Sequence, residues 1–103
     1  MISQLLAKRH EEGNPIRVGI IGTGKFGGGL VAQISRMRGM RVAAIADIKV
    51  ENARHAYVSA YGDIDIAVAE NSSDLQAAVQ AGKAAVTPDG LLLARTEGID
   101  VVV

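Results

Sequence analysis

Gly22-Thr23-Gly24-Lys25-Phe26-Gly27 sets three glycines at the spacing G-x-G-x-x-G, and a carboxylate, Asp47, follows twenty positions after Gly27. Glycines offer no side-chain chemistry; what they expose is backbone. Gly22 permits a tight turn, Gly24 lets backbone N–H groups approach a diphosphate, and Gly27 lets a following helix lie close on a sheet. The unpaired N–H groups and positive dipole end of that helix then hold the anion. A carboxylate placed like Asp47 accepts hydrogen bonds from ribose hydroxyls. The chemistry is therefore that of binding a dinucleotide, NAD or NADP. The cofactor-binding set is Gly22, Thr23, Gly24, Lys25, Phe26, Gly27 and Asp47. Within it Lys25 suits a phosphate contact and a solvated helix start equally, and Asp47 suits a ribose contact better than a mere turn. With 12 glycines in 103 residues the spacing alone is weak evidence; its flanks give it weight.

Those flanks must position the loop. Ile16 to Ile21 is β-branched and apolar on both faces, as in a central strand of a parallel sheet. Lys25 to Met37 follows as a helix, with Phe26, Leu30, Val31 and Ile34 on its buried face. Met40 to Ala46 is a second buried strand, ending at Asp47, and Val50 to Tyr61 a second helix. Residues 62–71 read as a short strand or a helical loop. Ser72-Ser73-Asp74 caps a helix that ends at Gly82; Ala84 to Thr87 is a strand; Pro88 opens a helix through Arg95; Ile99 to Val103 is the last strand. This alternation predicts an α/β fold, a Rossmann-type doubly wound parallel sheet. The Ile16 strand is central, with the Ile99 strand on one side and the Met40 strand across the switch point. Residues 1–15 form an amphipathic helical arm carrying Ile2, Leu5 and Leu6, and residues 16–103 form the NAD(P)-binding domain. The apolar run GIDVVV has no turn residue after it, so the sequence is read as the first part of a longer protein, with surface at Ile99 to Val103 that favours self-association or marginal stability.

Composition excludes several functions. Eleven basic and eleven acidic residues cancel, and with no Trp and few aromatics the arginines at 36, 38 and 41 read as a solvated edge, so no nucleic acid partner is expected. The absence of cysteine excludes disulfides and thiolate metal sites, and His10 and His55 read as surface residues, so no metal is expected. No run approaches the length of a membrane span and the first residues lack signal-peptide features, which makes a soluble, cytoplasmic protein without a membrane partner the default. Asp63 and Asp65 read as a solvated loop, and Thr87 to Gly90 as a turn. Gly28 and Gly29 exceed what the motif needs, and close packing of the helix start is the favoured reason.

The segments IRVGIIGTGKFG, IAD and VTPDGLLLARTEGIDVVV resemble the nucleotide-binding region of homoserine-dehydrogenase-like oxidoreductases. The arm MISQLLAKRHEEGNP extends the resemblance to a subgroup with a C-terminal SAF domain, which includes the homoserine-dehydrogenase-like type of 1-deoxy-D-xylulose 5-phosphate reductoisomerase. The resemblance implies an NAD(P)-dependent oxidoreductase. Its small-molecule substrate would be bound by a C-terminal domain absent from this chain, a homo-oligomer is allowed, and the 103 residues alone would be inactive. The reductoisomerase likeness implies NADPH, whereas Asp47 would repel a 2′-phosphate unless Lys49 or Arg54 neutralised it, so the preference between NAD and NADP stays open. The run Gly27 to Gly29 departs from the family pattern, which normally has larger residues after the motif. No residue takes a catalytic assignment. The alternative function is a nucleotide-sensing regulatory module, which the fold and motif do not separate from an enzyme.

Overall fold

The computed structural model describes residues 13–22 and 27–103. The predicted arm helix over residues 1–12 and the glycine-loop residues Thr23, Gly24, Lys25 and Phe26 lie outside the described residues. The elements run β1 (Ile16–Ile21), α1 (Gly27–Ser35), β2 (Met40–Ala46), α2 (Val50–Tyr61), β3 (Ile66–Val68), α3 (Ser72–Gln80), β4 (Ala84–Thr87), α4 (Gly90–Ala94) and β5 (Val101–Val102). All five strands are parallel in the order β3-β4-β2-β1-β5. The chain thus forms the doubly wound α/β sheet of the Rossmann type, with β1 between β2 and β5. The undecided segment contains β3, a three-residue edge strand beyond β4.

Helices cover both faces, and the two cores differ in side-chain size. Val18, Ile20, Val42 and Ile45 of the central strands meet Val31 and Ile34 of α1 and Ala53, Ala56 and Tyr57 of α2. On the other face Ala43, Ala44, Ala46 and Ala85 meet Leu75, Ala78 and Val79 of α3 and Leu93 of α4. Small strand residues there let the helices sit close to the sheet. A register shift between Val18 and Gly19 separates the Val18–Val42 and Gly19–Ala44 pairs, so β2 carries one extra residue. Ala43 and Ala44 both belong to the alanine-rich core, whereas Val42 and Ile45 belong to the other, as a bulge in strict alternation requires.

Gly19 faces the alanine-rich side. A Cβ there would stand 2.6 Å from Leu93 Cδ2 and 3.2 Å from Ile99 Cγ2, so its role is to admit α4 against β1. The sequence patterns placed the strands and helices closely but several ends differ. The α3 cap is Asn71, whose Oδ1 accepts from the Asp74 N–H at 2.9 Å and whose Nδ2 donates to Asp74 Oδ2 at 3.0 Å, while Ser72 and Ser73 are already helical. Asp89 rather than Pro88 precedes the first turn of α4, its Oδ1 accepting from Leu91 N–H at 2.9 Å. The helix ends at Ser35, two residues before the predicted end at Met37, and β5 is confined to Val101–Val102.

Candidate functional site

At the carboxyl end of β1 the chain turns out through Gly22, whose φ of +83° lies in the region glycine alone enters at low cost. Its N–H donates to Ala46 O at 2.7 Å, tying the turn to the end of β2. Among the described residues nothing lies within 4 Å of a Cβ built at Gly22, so the positive φ is the observed reason for glycine there. Helix α1 is described from Gly27, five positions after Gly22.

Asp47 is half-buried at the carboxyl end of the neighbouring strand β2. Its N–H donates to Thr87 O at 3.0 Å, which fixes it between β2 and β4, and its Oδ1 accepts from Lys49 N–H at 2.9 Å. Asp47 thus directly follows β2, with its carboxylate in a turn. Ile48, next in sequence, is 90% exposed, an apolar side chain held out beside the carboxylate. Lys49 is exposed, and the Arg54 guanidinium is already 3.6 Å from Glu51 Oε1 one turn away on α2.

The opposite wall comes from the chain after β4. Thr87 is fully buried and its Oγ1 accepts from Asp89 N–H at 3.4 Å; the start of α4 then reaches β1, with a Cβ at Gly90 lying 3.1 Å from Ile21 Cγ2. The backbone of Val103 brackets the end of β1, donating to Gly19 O at 2.9 Å and accepting from Ile21 N–H at 3.0 Å. Gly22 and Asp47 are thus brought to one end of the sheet, where α1 leaves toward one face while α4 lies on the other. In doubly wound folds ligands bind at this end of the sheet, beyond the carboxyl ends of the strands.

Other candidates part from this site. His55, Asp63 and Asp65 are exposed, and among the described residues no group of three or more His, Asp or Glu could hold a metal. Arg36 and Arg38 are exposed, but Arg41 is half-buried and donates from Nη2 to Val79 O at 3.5 Å, so it is not part of a solvated edge. Gly28 borders a groove with Asn52, His55, Ala56 and Ser59 of α2, whereas nothing lies within 4 Å of a Cβ at Gly29. Gly29 is on the exposed side of α1. Gly19, Ile48 and Gly90 were not singled out from sequence; an apolar residue directly after a strand-ending acid was the one available signal.

Neither a scan against protein-family models nor a search of curated proteins finds a match to this chain. Among the described residues no helix is long and apolar enough to cross a membrane. The fold is that of dehydrogenase-type and other nucleotide-binding Rossmann modules.

Proposed function

We propose that the chain is the cofactor-binding part of an NAD(P)-dependent oxidoreductase of the homoserine-dehydrogenase-like kind. One observation carries the nucleotide reading: Gly22, at positive φ, and Asp47 directly follow the adjacent central strands β1 and β2 at the same rim of the sheet. The oxidoreductase reading rests in addition on the sequence resemblance. In this proposal the glycine loop Gly22 to Gly27 holds the diphosphate, Asp47 accepts from the adenosine ribose, and Ile48 offers apolar surface to the base. The nicotinamide, when bound, supplies the hydride chemistry, while this chain binds and orients it and a further domain holds the small-molecule substrate. Asp47 in place, with Arg54 engaged by Glu51, favours a free 2′-hydroxyl, hence NAD over NADP.

Calorimetric titration of both cofactors tests this. Gly24→Val should abolish detectable binding in a folded protein, because a side chain there takes the volume of the diphosphate. Asp47→Ala should weaken NAD by roughly 1–3 kcal/mol and NADP by less. Equal binding of both cofactors to wild type and Gly24→Val would remove the nucleotide reading.

A further inference from the structure

A cavity lies at the other end of the sheet. It measures about 360 Å³ and is walled by Val42, Tyr57, Tyr61, Ile64 and Ala84, with Arg41, Lys83 and Asp65 at its margin. That volume suits a compact small molecule.

Its origin is a gap in the sheet. β2 begins at Met40, but its pairing with β4 starts only at Ala44. Two tyrosines of α2 take the place of the missing strand: Tyr57 Oη donates to Val42 O at 3.3 Å, and Tyr61 Oη accepts from Val42 N–H at 3.2 Å. Because Tyr61 accepts that bond, its own proton is left to donate. The residues lining the cavity therefore include two cations, Arg41, whose Nη2 also donates to Val79 O at 3.5 Å, and Lys83, together with the Tyr61 hydroxyl, against one carboxylate, Asp65. Among the described residues neither cation is in an ion pair, with Asp65 or any other acid. The walls are otherwise aromatic or aliphatic.

We propose that this cavity binds a small monoanion with a compact apolar body, such as a cyclic or branched monocarboxylate, its charge at Arg41 and Lys83 and its body against Tyr61 and Ile64. An excess of one positive charge at the margin matches one carboxylate, and the apolar wall selects against bare inorganic anions. The site is independent of the crevice at Gly22 and Asp47.

The sequence supplies its own reporter, since Tyr57 and Tyr61 are the only two tyrosines and there is no tryptophan. Tyrosine emission of the whole chain is titrated with cyclohexanecarboxylate, which does not absorb at the excitation wavelength. Cyclohexylmethanol and acetate serve as controls for body without charge and charge without body. A saturable change with the carboxylate is expected within about 10 mM, with each control at least tenfold weaker. Lys83→Gln, at an exposed position, should weaken the carboxylate roughly tenfold without altering circular dichroism, and Tyr61→Phe several-fold. No saturable change up to that concentration, equal binding of cyclohexylmethanol, or an unchanged affinity in folded Lys83→Gln would each overturn the proposal.

Discussion

Two glycines of β1 and its turn are required for different reasons, and substitution separates them. At Gly19 the constraint is space: the nearest atom to an added Cβ belongs to Leu93, which is itself fully buried and has little room to withdraw. Gly19→Ala should destabilise the fold by about 1–3 kcal/mol in denaturant melts. Much of that loss should be recovered in the background of Leu93→Ala, where the two changes couple. A purely additive double variant would mean that Leu93 is not the obstacle. At Gly22 the constraint is conformation, since φ is +83° and no described residue lies within 4 Å of an added Cβ. Gly22→Ala should therefore cost about 1–2 kcal/mol in the free protein, with Gly22→Asn costing less because asparagine tolerates the left-handed region. Equal losses for alanine and asparagine would point to crowding instead. The site was partly legible at this scale. Glycine spacing and the distance to Asp47 marked the two strand ends, because both follow from local chain geometry. Gly19 was not legible, because its reason lies in Leu93, 74 positions away, and only the folded crossover brings them together.

At the scale of elements, α2 does more than cover a sheet face. Its Tyr57 completes the hydrogen bonding of β2 at Val42 from a fully enclosed position, so burial pushes the phenol pKa well above its ordinary value of 10.0, with the Tyr61 hydroxyl adding to the rise. Hydrogen bonding from the Ala85 backbone and the Arg41 charge oppose it only in part. The sign follows from linkage. An unfolded chain releases that proton near pH 10 while the native state keeps it, so the native state binds more protons above that pH and stability falls as pH rises. Stability should be flat in this contribution through neutral pH, then fall by up to about 1.4 kcal/mol per pH unit above roughly pH 10. Tyr57→Phe should flatten part of that fall while costing about 1–3 kcal/mol at neutral pH through the orphaned Val42 carbonyl. Urea melts from pH 7 to 11 check both statements, and an alkaline fall unchanged by Tyr57→Phe would assign it to other groups. Periodicity made β1, β2, α2 and β4 readable, since each is a run whose burial repeats along its own length. The bulge at Ala43 escaped notice: two adjacent alanines suit either face, and only pairing with β1 shows that both point the same way. Helix starts moved by one or two residues because Asn71 and Asp89 compete with nearby Ser72 and Pro88 as caps, a competition decided by backbone geometry.

For the molecule as a whole, every strand runs the same way, so the sheet has two chemically different ends. Gly22, Asp47 and Thr87 gather at the carboxyl end, and Arg41, Lys83 and Ala84 at the amino end. Asp47 lies six positions after Arg41, about 20 Å at the rise of an extended chain, and the intervening part of β2 is buried, with Ala44 to Ala46 paired on both sides. A rigid sheet of this kind does not itself provide two alternative arrangements through which one end could report to the other. Two ligands at opposite ends should therefore stabilise the fold independently. With NAD at about 100 times its dissociation constant the gain is about 2.7 kcal/mol, and the same excess of cyclohexanecarboxylate gives an equal gain. Added together, they should raise the unfolding free energy by the sum, within about 0.5 kcal/mol. The expected dissections are equally separate: Gly24→Val removes the NAD increment alone, and Lys83→Gln reduces the carboxylate increment alone. A shortfall or excess above about 1 kcal/mol in the doubly liganded protein would contradict independence, because a coupling of that size requires a conformational equilibrium that both ligands bias.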